Sequence, residues 1–360
     1  MRRLWTAALA VLAAARVVAA DDQALSGQEV YAGACASCHG DDGHGAPQGT
    51  ALEVPLPDFT DCGFITREGD GNWRFLLAHG GDALGLSPQM PAFGDVLTAP
   101  QIQSVLDYIR SFCPDSRWPR GDLNFRRLLV TDKAFPEDEV VLTQEFEKGR
   151  DGVRDWATEL SVEHRLGARG QVELAVPVVA HDVTDGGATT GGVGDMTLAF
   201  KQALIADFPS RSIVAAAVDL GLPTGDRDRG LGAGTVSFGP SLLAGKQIRD
   251  VVIQGQILGE LPIDEHRADR AVHYRFALSY PLSEVKRAWV PSVEMEVLQN
   301  VSAKQQHLFI TPEVYKGITQ RGHLAIAIGA QLPVAGDADP FDYRLLAFFL
   351  WDYADGGLWW

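Results

Sequence analysis

Apolar and polar residues alternate one by one through most of the second half of this chain, and this period of two constrains the fold more than any other feature. In one run, one face carries Trp156, Thr158, Leu160, Val162, His164 and Leu166, and the other carries Ala157, Glu159, Ser161, Glu163 and Arg165. Such spacing is typical of β-strands. The pattern recurs in about twelve segments, which begin near Val140, Asp155, Gln171, Asp195, Ser212, Thr235, Asp250, Ala271, Ala288, Gln306, Gly322 and Tyr343. The second half is therefore predicted to be all-β and antiparallel.

The lengths of the segments and of their connections indicate a membrane barrel. About ten to thirteen residues are enough for a tilted strand to cross the apolar layer of an outer membrane. The odd-numbered connections tend to be long and polar, as at 182–193 and 223–233, whereas the even-numbered ones are short, as at 167–170 and 319–321. Long loops on one side and tight turns on the other are typical of a transmembrane β-barrel, whose even strand number leaves both ends in the periplasm.

A soluble β-sandwich is the alternative interpretation of this alternation. Its apolar face would be a protein core, and its charged face would be solvated. In a barrel the charged face would line the lumen, and aromatic residues near strand ends would form interfacial girdles. The charged residues are Glu159, Glu163, Arg165, Glu173, Lys201, Arg275, Glu294 and Glu296, and the aromatic residues are Trp156, Trp289, Trp351, Tyr343 and Tyr353. The regular segments and the alternating connections favour the barrel.

The first part of the chain carries a motif of a different kind, Cys35-Ala36-Ser37-Cys38-His39. Two thiols at this spacing, followed directly by an imidazole, are what covalent attachment of a c-type haem requires. Cys35 and Cys38 would form thioethers, and His39 would be the proximal iron ligand. A zinc site would need a second CxxC or a His-x-His pair, and the sequence has neither. A buried or disulfide-linked cysteine pair is the remaining alternative.

A second iron ligand is predicted at Met90, where Pro91 holds an extended loop that turns the thioether inward. His44 and His79 are competitors for this distal position. His44 lies close to His39 in sequence and reaches the opposite face with difficulty, whereas His79 is expected at a helix end near the haem rim. With both axial positions filled, electron transfer is favoured over oxygen or substrate chemistry.

Two further cysteines, Cys62 and Cys113, lie outside the haem motif. In an oxidising periplasm they are expected to form a disulfide, and its loop of roughly 50 residues would stabilise the fold by about 4 kcal/mol. Two buried free thiols are the alternative. Neither cysteine belongs to a second CxxCH, so one haem is expected.

The N-terminus has the features of an exported protein. Arg2 and Arg3 precede the apolar run 4–15, and Val18-Ala19-Ala20 forms a small-residue cleavage site, so residues 1–20 are predicted to be a signal peptide. A membrane anchor is the alternative, but the run is short and Arg16 interrupts it. The net charge of −16 argues against nucleic-acid binding and suits basic protein partners.

The pattern changes near residue 115, which divides the chain. A capping box at Ser26 and Glu29, a helix over 73–81 and an apolar helical face in 98–112 frame the haem motif. Together with the haem motif, this region resembles class I c-type cytochromes. The resemblance implies a small all-α domain at residues 21–114, with Cys35, Cys38, His39 and Met90 holding the haem. The stretch 114–121 has the composition of an exposed join, and a linker is expected over 115–138.

The β region, residues 139–360, resembles outer-membrane transporter-like proteins of the phenol meta-pathway family in its segments 192–198 and 350–357. The whole chain is therefore expected to be a monohaem electron carrier tethered to the outer membrane, with periplasmic redox proteins and outer-membrane lipid as partners. A porin or transporter for small solutes, aromatic ones among them, with the cytochrome as redox-sensing accessory, is the alternative. A periplasmic oxidoreductase would need a catalytic constellation, which the second domain does not offer, so the chain is not expected to be an enzyme.

Overall fold

The structure, a computed structural model, describes residues 25–46, 52, 54, 56–150, 152–182, 190–337 and 340–355. The expected signal peptide, residues 1–20, lies outside the described residues. The helices are α1 (Gly27–Ala34), α2 (Ala36–His39), α3 (Cys62–Ile65), α4 (Asp70–His79) and α5 (Ala99–Arg110), with single 3₁₀ turns at Gly81–Leu84, Gly121–Leu123, Arg227–Arg229 and Tyr353–Asp355. None of the described helices is long and apolar enough to span a bilayer.

Capping and apolar spacing explain the N-terminal helical region, residues 25–113. Ser26 and Glu29 form a reciprocal capping box at the start of α1, and Thr98 and Gln101 form another at α5. Both boxes satisfy backbone N–H groups that a helix start leaves open. α1 and α5 pack together around a core made of Val30, Tyr31, Cys35, Ala36, Phe59, Ile65, Trp73, Leu77, Ile102, Val105, Leu106 and Ile109.

The described residues between Glu139 and Asp352 form a closed antiparallel β-barrel of twelve strands, as the sequence predicts. Its strands are β1 (Glu139–Lys148), β2 (Arg154–Leu166), β3 (Gly170–Asp182), β4 (Thr190–Val193 and Met196–Asp207), β5 (Ser212–Leu222), β6 (Ser237–Ile248), β7 (Val251–Pro262), β8 (Ala271–Ser279), β9 (Trp289–Asn300), β10 (Gln305–Gly317), β11 (Leu324–Gly336) and β12 (Tyr343–Asp352). The two parts of β4 pair with successive parts of β3 and make one barrel strand. The barrel closes where β1 pairs with β12, from Glu139 opposite Asp352 to Lys148 opposite Tyr343.

The two faces of the barrel wall differ as the alternation predicts. Outward-facing Leu160 and Trp156 are 45% and 53% exposed, whereas inward-facing Glu163 is 1% exposed. All eight charged residues of the predicted inner face are buried or half-buried in the structure. An apolar outer belt with charges turned inward suits a barrel in lipid, and a sandwich would bury its apolar face instead.

The connections divide the barrel into two ends. The short-turn end holds the connections 167–169, 208–211, 249–250, 280–288 and 318–323, and the opposite long-loop end holds the others. Two connections break the expected alternation, because 301–304 is short although it lies at the long-loop end, and 280–288 is long although it lies at the short-turn end.

The stretch between the two parts, residues 114–138, is called the connector below; the exposed join is expected at its start, over 114–121, and a linker over 115–138. From Gly121 onward, where it runs inside the barrel, Asp132 alone is exposed, and its other exposed residues lie at its start. Leu123, Phe125 and Phe135 are buried there, 1–6% exposed, against the inner wall of β5, β6 and β7. The physical reason is that apolar side chains of the connector fill the short-turn half of the barrel as a packed core.

Backbone groups of the connector bond to polar side chains of the wall. The N–H groups of Val130 and Thr131 donate to the carboxylate of Glu294, at 2.9 and 2.6 Å. Leu129 N–H donates to Glu313 at 2.9 Å. These side chains replace the water that a buried backbone would otherwise need. The connector is therefore an ordered part of the barrel interior rather than a flexible tether.

The helical region lies against the short-turn end of the barrel. Arg74 of α4 pairs with Glu284 in the connection 280–288. In the same connection, Lys286 Nζ lies 2.5 Å from a carboxylate oxygen of Glu68, and its backbone N–H donates to Asn72 Oδ1 at 2.9 Å. The long connection at the short-turn end is thus the one that holds the helical region.

Candidate haem site

The residues predicted to hold haem line one cavity of about 850 Å³. This volume lies within the about 300–1,000 Å³ typical of ligand and cofactor pockets. Cys35, Cys38, His39 and Met90 all lie in its wall. The rest of the wall is mainly apolar and includes Leu52, Val54, Leu56, Phe59, Phe64, Trp73, Leu76, Leu77, Leu86, Phe93, Val96, Leu97 and Ile109. An apolar cavity with a few convergent ligand atoms suits a large, flat, mostly apolar cofactor.

The local fold explains how the motif presents its three reactive groups. Cys35 ends α1 and begins α2, so Cys35 and Cys38 are one helical turn apart, and both are free thiols. His39 closes α2 and stacks on Phe59, with ring centroids 4.8 Å apart. Its Nδ1 is buried and has no hydrogen-bond partner among the described residues. Burial also holds the pKa of His39 below its ordinary value, which favours the neutral imidazole that ligates iron.

Two glycines bring the Met90 loop against α4. Gly80 has φ +79°, and a Cβ there would lie 2.9 Å from the carbonyl oxygen of Met90. Gly81 donates its N–H to the same carbonyl at 2.9 Å, and a Cβ there would lie 2.1 Å from the Ser87 carbonyl oxygen. Only residues without a side chain allow this approach. Met90 consequently packs against the core cluster that includes Cys35 and Trp73.

Neither competing histidine lies in the cavity wall described for this region. His44 is exposed, and its Nδ1 lies 3.3 Å from Asp58 and 3.2 Å from the Thr60 hydroxyl. His79 is also exposed, at the end of α4, and stacks on Phe75. Of the three residues considered for the second ligand, Met90 is the one that lies in this wall.

The remaining cysteines stabilise the domain away from the cavity. Cys62 at the start of α3 and Cys113 after α5 form a disulfide, with their Cα atoms 5.1 Å apart. It joins two segments separated by 51 positions in the sequence. The predicted ligand cysteines thus remain available for thioether bonds.

An ion cluster connects the cavity wall with the connector. Asp70 of α4 lies 3.0 Å from Arg110 and 2.6 Å from Arg120. Arg110 also lies over the ring of Trp73, which lines the cavity. Burial alone would raise the pKa of Asp70, but the two guanidinium groups outweigh it and lower that pKa. Asp70 is therefore a carboxylate that binds the cavity wall to the start of the connector.

The sequence interpretation missed the connector and the contact between the two parts. Phe125, Leu128 and Phe135 are a sequence signal for the buried connector, because three large apolar residues are unusual in a solvated linker. Arg74 and Glu68 have their partners in the connection 280–288, more than two hundred positions away, so no local sequence pattern indicates these contacts.

Comparison with one solved structure supports the barrel. An outer membrane channel from Pseudomonas putida F1 superposes with a TM-score of 0.50 at 13% identity, over 63% of this chain and 99% of that one. The KdgM porin has a TM-score of 0.42 at 8% identity, over 60% of this chain and 99% of the porin. A search of curated protein sequences found no match.

Family models cover both parts of the chain. Residues 22–109 match the family described as cytochrome c oxidase, cbb3-type, subunit III. Residues 144–342, more than half of the chain, match the family named for the MetA-pathway of phenol degradation. With its closed twelve-strand barrel, the chain is a member of this MetA-pathway family, with a c-type cytochrome domain at its N-terminus.

Proposed function

We propose that this protein is a monohaem c-type cytochrome anchored in the outer membrane, which carries single electrons in the periplasm. The observation that carries the proposal is the convergence of Cys35, Cys38, His39 and Met90 on one apolar cavity. These residues come from two distant segments and match the ligand set of a His/Met c-type haem.

Each residue has a distinct role in this proposal. Cys35 and Cys38 would bind the cofactor covalently, His39 would ligate the iron from one side and Met90 from the other. The bound haem would supply a reversible one-electron couple. The apolar wall of Phe59, Trp73 and other residues would exclude water from it.

The barrel serves as an anchor in this proposal. Its apolar outer belt suits lipid, and its short-turn half is filled by the connector. A second packed cluster includes Leu129 of the connector with Val141, Tyr315 and Phe348 of the wall. This packing favours the anchor over the alternative of an open porin with a redox-sensing accessory, because a solute path would have to cross a close-packed core.

The position of the cytochrome domain supports a periplasmic location. The domain lies at the short-turn end, and in outer-membrane barrels short turns face the periplasm. Both ends of the barrel, Glu139 and Asp352, lie at this same end. An exported protein with haem in this place would meet periplasmic redox proteins.

Ligand variants of the full-length protein test the proposal. Met90→Ala should open the iron to exogenous ligands and lower its potential, because a thioether ligand favours ferrous iron. Met295→Ala is the control, since Met295 lies on the outer face of β9 and is 42% exposed. Cys35→Ala with Cys38→Ala should leave no haem attached after denaturation. An unchanged spectrum and potential in Met90→Ala, or a native protein without covalent haem, would overturn the proposal.

A further inference from the structure

The cytochrome domain has an extreme charge composition. Residues 21–114 contain thirteen Asp and Glu, three Arg and no Lys. The domain therefore contributes ten of the sixteen net negative charges of the chain, in about a quarter of its length. A surface with so few cations repels anions and attracts cationic partners.

All three arginines of the domain bind either to groups inside the domain or to groups of the barrel. Arg110 is buried and pairs with Asp70. Arg74 pairs with Glu284 of the barrel, and Arg67 donates to the carbonyl oxygen of Ala354 at 2.7 Å. The basic side chains thus lie on the side that the barrel covers or in the interior.

The carboxylates are distributed differently, because most of them lie on the side that remains in solvent. The exposed ones are Glu29, Asp41, Asp42, Asp58, Asp61, Asp82, Asp95 and Asp107. Asp82 and Asp95 flank the segment that carries Met90. Leu86 and Val96 belong to the wall of the haem cavity and are 38% and 75% exposed, so this edge of the wall, called the mouth below, reaches the protein surface.

We propose that this mouth, the exposed apolar residues Leu86 and Val96 flanked by Asp82 and Asp95, docks a basic one-electron carrier protein with lysines around its own cofactor. The inference rests on the proposed electron-carrier function. In the complex one electron passes from the reduced cytochrome domain to the oxidised partner, and no bond is made or broken.

The physics of the surface supports this choice of partner. A small apolar centre excludes water at the contact, whereas a charged rim steers the approach of the partner. Steering of this kind raises association rates by about 10- to 1,000-fold and weakens as salt is added. Weak, rapidly dissociating contact is also what a carrier that exchanges electrons repeatedly requires.

The test uses the reduced full-length protein in detergent and two forms of one oxidant. The first form is a lysine-rich soluble cytochrome c, and the second is the same protein with its lysines acetylated. Stopped-flow absorbance would give the rate constant for each. We expect the native oxidant to react at least about tenfold faster at low salt, and this advantage to disappear as salt is raised.

Paired variants locate the docking site. Asp82→Asn with Asp95→Asn should slow the reaction with the native oxidant by about threefold or more at low salt, with little effect on the acetylated one. Glu29→Gln with Asp107→Asn removes the same charge from α1 and α5 and should have a smaller effect. Equal rates for the two oxidants, or equal effects of the two variant pairs, would overturn the docking site. Failure to reduce either oxidant would instead overturn the electron-carrier function itself.

Discussion

Arg127 of the connector and Glu163 of strand β2 form an ion pair inside the barrel. Glu163 is 1% exposed and also accepts a hydrogen bond from Gln171 Nε2 at 2.7 Å. Gln171 Oε1 in turn accepts the backbone N–H of Glu137 at 2.7 Å. The two wall residues therefore hold the connector at its middle and at its C-terminal end, so that the connector and the barrel are expected to unfold together.

Removing one partner of this pair should destabilise the whole barrel. Arg127→Gln leaves Glu163 without its cation, and breaking a buried pair in this way costs about 3–5 kcal/mol. Lys148→Gln is the matched control, because its partner Asp342 is accessible and such surface pairs contribute about 0–1 kcal/mol. Urea unfolding in detergent, followed by tryptophan fluorescence, measures both. An Arg127→Gln variant as stable as Lys148→Gln would contradict the assigned role of the connector.

The packed connector should also close the barrel to solutes. Replacing residues 124–137 with a Gly/Ser segment of equal length removes Phe125 and Phe135 from the short-turn half and should raise conductance in planar bilayers. The same replacement of loop 263–270, at the long-loop end, is the control and should leave conductance low. If the unaltered protein already conducts as much as the connector variant, the connector does not block the lumen.

The strands could be predicted from the sequence because their signal is local. The predicted starts near Val140, Ser212 and Tyr343 lie within one residue of the observed β1, β5 and β12. Each strand has an apolar outer face, because the lipid on that side requires apolar side chains regardless of what the rest of the chain contains. The convergence of Cys35 and Met90 on one cavity was likewise expected, since the haem motif limits where a second ligand can lie.

The connector could not be placed from the sequence because its partners are remote. Thr131 bonds to Glu294, and Asp132 N–H donates to Gln256 Oε1 at 3.2 Å, over separations of 163 and 124 positions. Nothing in the local pattern distinguishes a wall glutamate that faces water from one that accepts a backbone N–H. The position of the cytochrome domain against Glu284 is unpredictable for the same reason.

Acidification should weaken the attachment of the cytochrome domain through Asp70. Because Arg110 and Arg120 lower the pKa of Asp70 below its ordinary 3.8, the folded protein binds this proton less readily than the unfolded chain. The stabilisation is then complete above the ordinary pKa and is lost as pH falls through the lowered value. Asp70→Asn should be less stable at neutral pH by about 3–5 kcal/mol and should lose less stability on acidification.

Urea unfolding at a series of pH values, followed through the spectrum of the bound haem, measures this effect. Asp82→Asn, an exposed carboxylate of the same domain, is the control and should follow the pH dependence of the unaltered protein. If Asp70→Asn and the unaltered protein lost stability in parallel between about pH 5 and pH 2, Asp70 would not be the group responsible.

The barrel wall should resist a charge on its outer face to a degree that depends on depth. Leu160 lies in the middle of β2, whereas Leu278 lies one residue from the end of β8, nearer the short-turn end. Both side chains are exposed on the outer face. Lysine costs about 2–4 kcal/mol at the bilayer midplane and about 0–1 kcal/mol near the interfaces. Leu160→Lys should therefore destabilise the barrel more than Leu278→Lys.

Heat-modifiable gel migration after refolding into lipid vesicles compares the two variants. Inward Glu163 and Arg275 would be poorer test positions, because they pair with Arg127 and Glu296 and their loss is costly for a different reason. Comparing Leu160→Lys with Leu278→Lys avoids this complication, because both residues face outward. Lysine in lipid loses its hydration most completely at the centre, whereas near an interface its long side chain reaches water. Equal effects at the two positions would mean that lipid does not surround this face.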